Sequence, residues 1–138
     1  MKNFLLLIFV IVSFFSAPLA LANEACQKIF SSAVIVHKSK VKGVSKEKLI
    51  SSLPSRKEAK NNGRINTLYH IIDEVYDYPT LDGLVYSTYR AELCYLVFSG
   101  QKTNNEEFGA VHKKLESCGT KSDKREKTEC SMRVASSV

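Results

Sequence analysis

Residues 65–79 read Ile65-Asn66-Thr67-Leu68-Tyr69-His70-Ile71-Ile72-Asp73-Glu74-Val75-Tyr76-Asp77-Tyr78-Pro79. Ile65, Leu68, Tyr69, Ile72, Val75 and Tyr76 recur at steps of three and four. That spacing puts them on one side of a helix and predicts a buried face. Asp77-Tyr78-Pro79 ends the run, because proline disfavours helical backbone at the residue before it. Thr80 stands where an N-cap of the next helix is expected.

The same period extends in both directions. Upstream, Ile29, Phe30, Ala33 and Val36 predict a helix from Ala25 to about Lys40, behind a possible Asn23 cap, with Gly43 as its stop. Ser45 suits a new start, carrying Leu49, Ile50 and Leu53 up to Pro54. Ser55 with Glu58 three residues on is a capping box, soon interrupted by Asn61-Asn62-Gly63. Downstream, Leu81, Val85, Tyr89, Leu93 and Leu96 predict a helix running to Ser99-Gly100. Thr103 and Glu106 form a second capping box, ahead of Phe108, Val111, Leu115 and Cys118, and Gly119 closes that helix. A last polar helix holds Cys130 and Val134. Strand alternation is short wherever it occurs, and there is no internal repeat. The expected fold is therefore all-α, a small disulfide-stabilised bundle of five to six short helices.

Apolar content is 44% over 138 residues, but residues 1–22 hold 17 of the apolar ones. Lys2, the apolar run 4–15, Pro18 and Ala20-Leu21-Ala22 follow the order of a secretory signal, with cleavage expected after Ala22. A membrane anchor would need roughly 20 apolar residues, more than this run supplies. A lipoprotein site fails because Cys26 follows Asn23-Glu24-Ala25 with no apolar residue at the required place. The remainder, 23–138, is lean in apolar residues and sized for one domain: 23–98 as the main bundle, 99–138 as a C-terminal helical extension. No bilayer-length span survives in it, so a periplasmic or secreted location is expected.

Export makes the even number of cysteines informative: Cys26, Cys94, Cys118 and Cys130 should be oxidised. Zinc is disfavoured because no pair has close C-x-x-C spacing and the three histidines are scattered. Four cysteines allow three pairings, and spacing does not choose among them. The preferred pairing is Cys26–Cys94 with Cys118–Cys130, closing loops of about 69 and about 13 residues worth roughly 4 and 3 kcal/mol. The second bridge carries a condition. A tight helical hairpin turning near Gly119 would not align Cys118 with Cys130, so residues 119 to about 125 must form a loop.

Cys26, Gly43-Val44-Ser45, Val75-Tyr76-Asp77-Tyr78-Pro79 and Cys94 together resemble a loose group of small exported bacterial proteins of unknown function. These carry a cysteine soon after the signal, a Gly-x-Ser helix start, a helix ending in Val-Tyr and a later cysteine. The resemblance covers roughly residues 23–98 and leaves Cys118 and Cys130 outside it. It implies a helical fold with a Cys26–Cys94-type bridge and implies no activity.

Formal net charge is +6 for the full chain and +5 once Lys2 leaves with the signal. Between Lys38 and Arg64 stand Lys38, Lys40, Lys42, Lys46, Lys48, Arg56, Lys57, Lys60 and Arg64 against only Glu47 and Glu58, a local +7. Residues 65–95 hold Arg90 against Asp73, Glu74, Asp77, Asp82 and Glu92, a local −4. One reading of the basic stretch is contact with an anionic envelope polymer or lipid headgroups; the competing reading is a solvated face. Nucleic acid is disfavoured, because no aromatic residue between Lys38 and Arg64 offers a stacking platform.

A second reading is a non-catalytic protein-binding module of inhibitor, immunity or periplasmic-adaptor type, whose partner is another envelope or secreted protein. Six tyrosines lie within 69–95. Tyr78 and Tyr86 fall off the apolar stripes and are the candidates for surface contact. For catalysis the sequence offers only His70 and Asp73, three apart on a helix, with Glu74 beside them as a second acid. There is no nucleophile elbow, phosphate-binding glycine loop, His-Glu-x-x-His site or other cofactor motif. His37 and His112 are assigned to packing or solvation, and a non-enzyme is expected.

Overall fold

A computed structural model of the chain describes residues 17–103 and 107–137, with side chains from Asn23 onward. The apolar leader run at 4–15 lies outside the described residues. Seven helices and no strand are present among those described: α1 (Ala17–Val41), α2 (Lys46–Ile50), α3 (Arg56–Ala59), α4 (Gly63–Asp77), α5 (Gly83–Phe98), α6 (Phe108–Gly119) and α7 (Lys124–Ser137). The all-α class stands. The number exceeds five to six because the stretch before Asn62 contains two separate short helices, α2 and α3.

Most boundaries follow local chemistry. Gly43 adopts φ +80°, its N–H donates to Lys40 O and the Val44 N–H to Ser39 O, so α1 ends in a Schellman motif. Gly100 (φ +70°) ends α5 in the same way, with Gly100 N–H on Val97 O and Gln101 N–H on Leu96 O. Ser45 caps α2 by accepting from Lys48 N–H, and both hydrogen bonds of the Ser55/Glu58 capping box are formed. Asn62 caps α4.

Three starts differ from the sequence expectation. α1 already begins at Ala17, so Asn23 lies inside it and does not cap it, and the Asn23 side chain accepts from the Tyr95 hydroxyl instead. Asp82, not Thr80, caps α5, its Oδ1 accepting from Leu84 and Val85 N–H, while the Thr80 hydroxyl turns to Glu116. A carboxylate two residues nearer the first turn reaches two orphan donors, where the hydroxyl would reach one. α6 begins after Glu107 without a side-chain cap, and the expected Thr103/Glu106 box involves Glu106, which lies outside the described residues.

α5 runs through the middle of the bundle, and five successive residues, Val85 to Tyr89, are buried. A helix buried on all sides must be surrounded. α1 packs along one side of α5 and α7 along another. From α6, Phe108, Val111 and Leu115 enter the same core, with Phe108 meeting Tyr78, Tyr86 and Tyr89 at ring separations of 5.1, 5.7 and 6.0 Å. α4 lies against α1, and α2 and α3 cover its outer side. There Tyr69 donates to Pro54 O at 2.8 Å and Tyr76 to Val44 O. α1 meets the start of α5 at Gly83, where a Cβ would sit 2.6 Å from the His37 ring. His37 Nε2 lies 3.1 Å from Leu81 O, so this histidine locks the crossing.

Both preferred bridges are formed. Cys26–Cys94 ties α1 to α5 and Cys118–Cys130 ties α6 to α7, each with Cα atoms 5.5 Å apart, an ordinary disulfide separation. The loop that allows the second bridge is shorter than the expected 119–125: only residues 120–123 are non-helical, Gly119 closes α6, and Lys124 and Arg125 already belong to α7. Six helical steps from Lys124 to Cys130 rise about 9 Å, a distance that a short extended loop covers before the chain turns back. Two disulfides are the chemistry of an oxidising compartment. Among the described residues no helix is long and apolar enough to cross a membrane. Residues beyond 98 share the core of the rest: Ser131 donates to Val85 O at 2.6 Å, with Val134 and Ala135 buried beside it.

Candidate functional site

His70 and Asp73 are not assembled as a base and its orienting carboxylate. His70 is exposed, with Nε2 3.3 Å from the Asn66 amide. Both oxygens of Asp73 accept from Arg56, at 2.9 and 3.0 Å, and Lys46 lies 3.1 Å away. Burial alone would push the Asp73 carboxyl up, but Arg56 and Lys46 together hold it below its ordinary value. Arg56 also lies over the Tyr69 ring at 4.3 Å, and Lys46 reaches Asp77 at 2.7 Å. The +7 stretch and the −4 stretch therefore fold against one another, and part of the sequence polarity is spent inside the molecule.

Glu74, adjacent to that pair, has a different role. Its carboxylate accepts from the Tyr86 hydroxyl at 2.7 Å and from Arg90 Nε at 2.8 Å, and a second Arg90 nitrogen closes a bidentate ion pair. Both charged side chains are 14% exposed and Tyr86 is fully buried. Burial opposes the Arg90 charge, but Tyr86 and Glu74 outweigh it and raise its pKa further. Burial drives the Tyr86 phenol well above its usual value. Tyr86 is thus a core residue and not a surface contact. Its position off the apolar stripe of α5 reflects a polar partner on α4, not solvent. Tyr78 is half-buried, edge-on to Phe108 and 4.5 Å from the His112 ring, so one side of its ring packs while the rest stays at the surface.

Of the nine cations singled out in the sequence, Lys40, Lys46 and Arg56 are committed internally. Lys40 donates to Val75 O and lies 5.7 Å from the Tyr76 ring, and burial lowers its pKa. Lys38, Lys42, Lys48, Lys57, Lys60 and Arg64 are exposed, and their side chains have no ion-pair or hydrogen-bond partner among the described residues. On the outside of α1, Ile35 and Val41 stand 62% and 75% exposed next to Lys38 and Lys42. Ile35, Lys38 and Lys42 share one face at steps of three and four, and Val41 flanks it.

At the other end of α1 a cleft of about 560 Å³ opens between α1, the start of α4 and the end of α5. Its walls are Ile29, Ile65, Leu68, Ile71 and Phe98, the last 60% exposed at the lip. Lys28 and Arg64 stand at its mouth. Lys28 pairs with Glu24 and holds that carboxyl below its ordinary value, with Arg64 adding to the effect. A smaller hollow of about 180 Å³ shares Ile29, Thr67 and Phe98 and continues toward Leu93 and Val97, past Arg90. No sequence motif marks this cleft. The one available signal is the run Leu93 to Phe98, which holds more apolar residues than a single helix face can bury. Among the described residues no three His, Cys, Asp or Glu side chains gather as a metal site. Comparison of the chain with protein-family models, with curated proteins and with solved structures returns no match.

Proposed function

We propose that the chain is a non-catalytic protein-binding module of inhibitor, immunity or adaptor type, periplasmic or secreted after cleavage behind Ala22. Its partner is another envelope or secreted protein. The reading rests on the outer face of α1, where Ile35 and Val41 stand exposed among the unpaired Lys38 and Lys42. Apolar side chains ringed by cations suit a partner surface with an apolar centre and an acidic rim. Further support comes from the acid and base groups, which serve structural partners: Asp73 holds Arg56 and Lys46, and Glu74 holds Tyr86 and Arg90.

The test is capture from an envelope extract at moderate salt, run in parallel with wild type and with Ile35→Ser/Val41→Ser. A protein retained by the wild type and lost with the variant supports the reading. The six uncommitted cations favour a second reading, binding of anionic envelope polymer or lipid headgroups. Equal capture by both chains, or retention only on anionic polymer at low salt, would replace the first with the second.

A further inference from the structure

The cleft at the other end of α1 is independent of that contact face. Its volume of about 560 Å³ falls in the range that holds one small ligand. A hollow of about 180 Å³ adjoins it at Ile29, Thr67 and Phe98 and extends the space toward Leu93 and Val97, room that an alkyl chain can use. The walls are mainly apolar down to Ile71, itself 1% exposed, with the Ser32 and Thr67 hydroxyls among them. The charged groups of the cleft, Glu24, Lys28 and Arg64, gather in one place.

Charge there is unbalanced. Glu24 pairs directly with Lys28 and also feels Arg64, so one carboxylate faces two cations and the mouth keeps a net positive charge. Arg90, which borders the hollow, is already paired with Glu74 and adds no free charge along the chain path. The space therefore has an apolar length and a single cationic end.

We propose that this cleft binds one free long-chain fatty acid, its hydrocarbon chain along Ile29, Leu68 and Phe98 and its carboxylate on Arg64. The chain would remove Phe98 and its neighbours from water, and the carboxylate would give Arg64 the direct hydrogen-bonded ion pair that its side chain does not make among the described residues. Charge complementarity selects the acid over neutral amphipaths of the same length.

The probe is cis-parinaric acid, whose emission rises when it is buried, added below its aggregation concentration to the exported, disulfide-bonded chain. The chain contains no tryptophan to interfere with excitation. Saturation near one probe per chain, displacement by oleate and much weaker displacement by methyl oleate are expected. Arg64→Gln should weaken oleate about tenfold, the size of one charge-assisted contact at a partly exposed site, and leave methyl oleate unchanged. Phe98→Ser, at a position that is 60% exposed and outside the core, should weaken both ligands. Circular dichroism and thermal melting identical to wild type establish that either variant is folded. Absence of saturable binding, equal affinity for acid and ester, unchanged oleate affinity in Arg64→Gln, or binding only to phosphatidylglycerol vesicles would each overturn the proposal.

Discussion

Replacing Glu74 by Met tests whether the Glu74–Arg90–Tyr86 network is a buried electrostatic unit. The substitution keeps side-chain length and removes the carboxylate that accepts from Tyr86 and from two nitrogens of Arg90. Arg90 then keeps its charge in a site where its side chain is 14% exposed, and a fully buried phenol loses its acceptor. Stranding one member of a buried pair costs about 3–5 kcal/mol. The residual exposure admits some solvent, so the lower end, about 3 kcal/mol, is expected here. Arg90→Met should cost a similar amount. The double variant Glu74→Met/Arg90→Met strands no charge, and its loss should fall to about 1–2 kcal/mol, the cost of the unsatisfied Tyr86 hydroxyl. Adding Tyr86→Phe should recover part of that. Urea denaturation followed by far-UV circular dichroism, with both disulfides intact and m-values unchanged, measures all four. A coupling energy of at least about 2 kcal/mol is the expected signature. Additive single effects, or losses under about 0.5 kcal/mol, would show that the pair is solvated and refute the reasoning.

The two bridges should contribute unequally. Cys26→Ala/Cys94→Ala opens the longer loop and should cost about 4 kcal/mol, and Cys118→Ala/Cys130→Ala about 3, read from urea midpoints at constant m. Gly83→Ala should destabilise by about 1–3 kcal/mol in thermal melts, because the new methyl displaces His37 from Leu81 O. Gly63→Ala, with open space around the added carbon, should be neutral or slightly stabilising in the same assay. Asp73 and Asp82 both have carboxyls held below their ordinary values. Burial opposes this, but it is outweighed by Arg56 and Lys46 at Asp73, and by Lys127 with the α5 backbone at Asp82. A carboxyl depressed in the folded state contributes stability above its unfolded pKa of about 3.9 and loses it as pH falls through the folded value. Stability should therefore hold down to about pH 5 and drop below about pH 4. Asp82→Asn should flatten that drop in acid titrations followed by circular dichroism.

What could be read along the chain is what neighbours within four residues decide. The stripe of α4, the Ser45 and Ser55/Glu58 caps, and the Gly43 and Gly100 stops all depend on local backbone geometry, and all appear where the residues imply them. The Asp82 cap was misassigned to Thr80 by two positions, because a capping side chain competes with tertiary partners such as Glu116. Periodicity assigns a residue to a helix face, but says nothing about whether another element covers that face. Tyr86 shows the difference: off the stripe of its own helix, it is buried because α4 brings Glu74 to its hydroxyl. The charge blocks behave likewise, since separation along the chain says nothing of Arg56 and Lys46 meeting Asp73 in space. The cleft was invisible for the same reason. It is a gap between three helices, and a gap belongs to the packing of elements and not to the residues of any one of them.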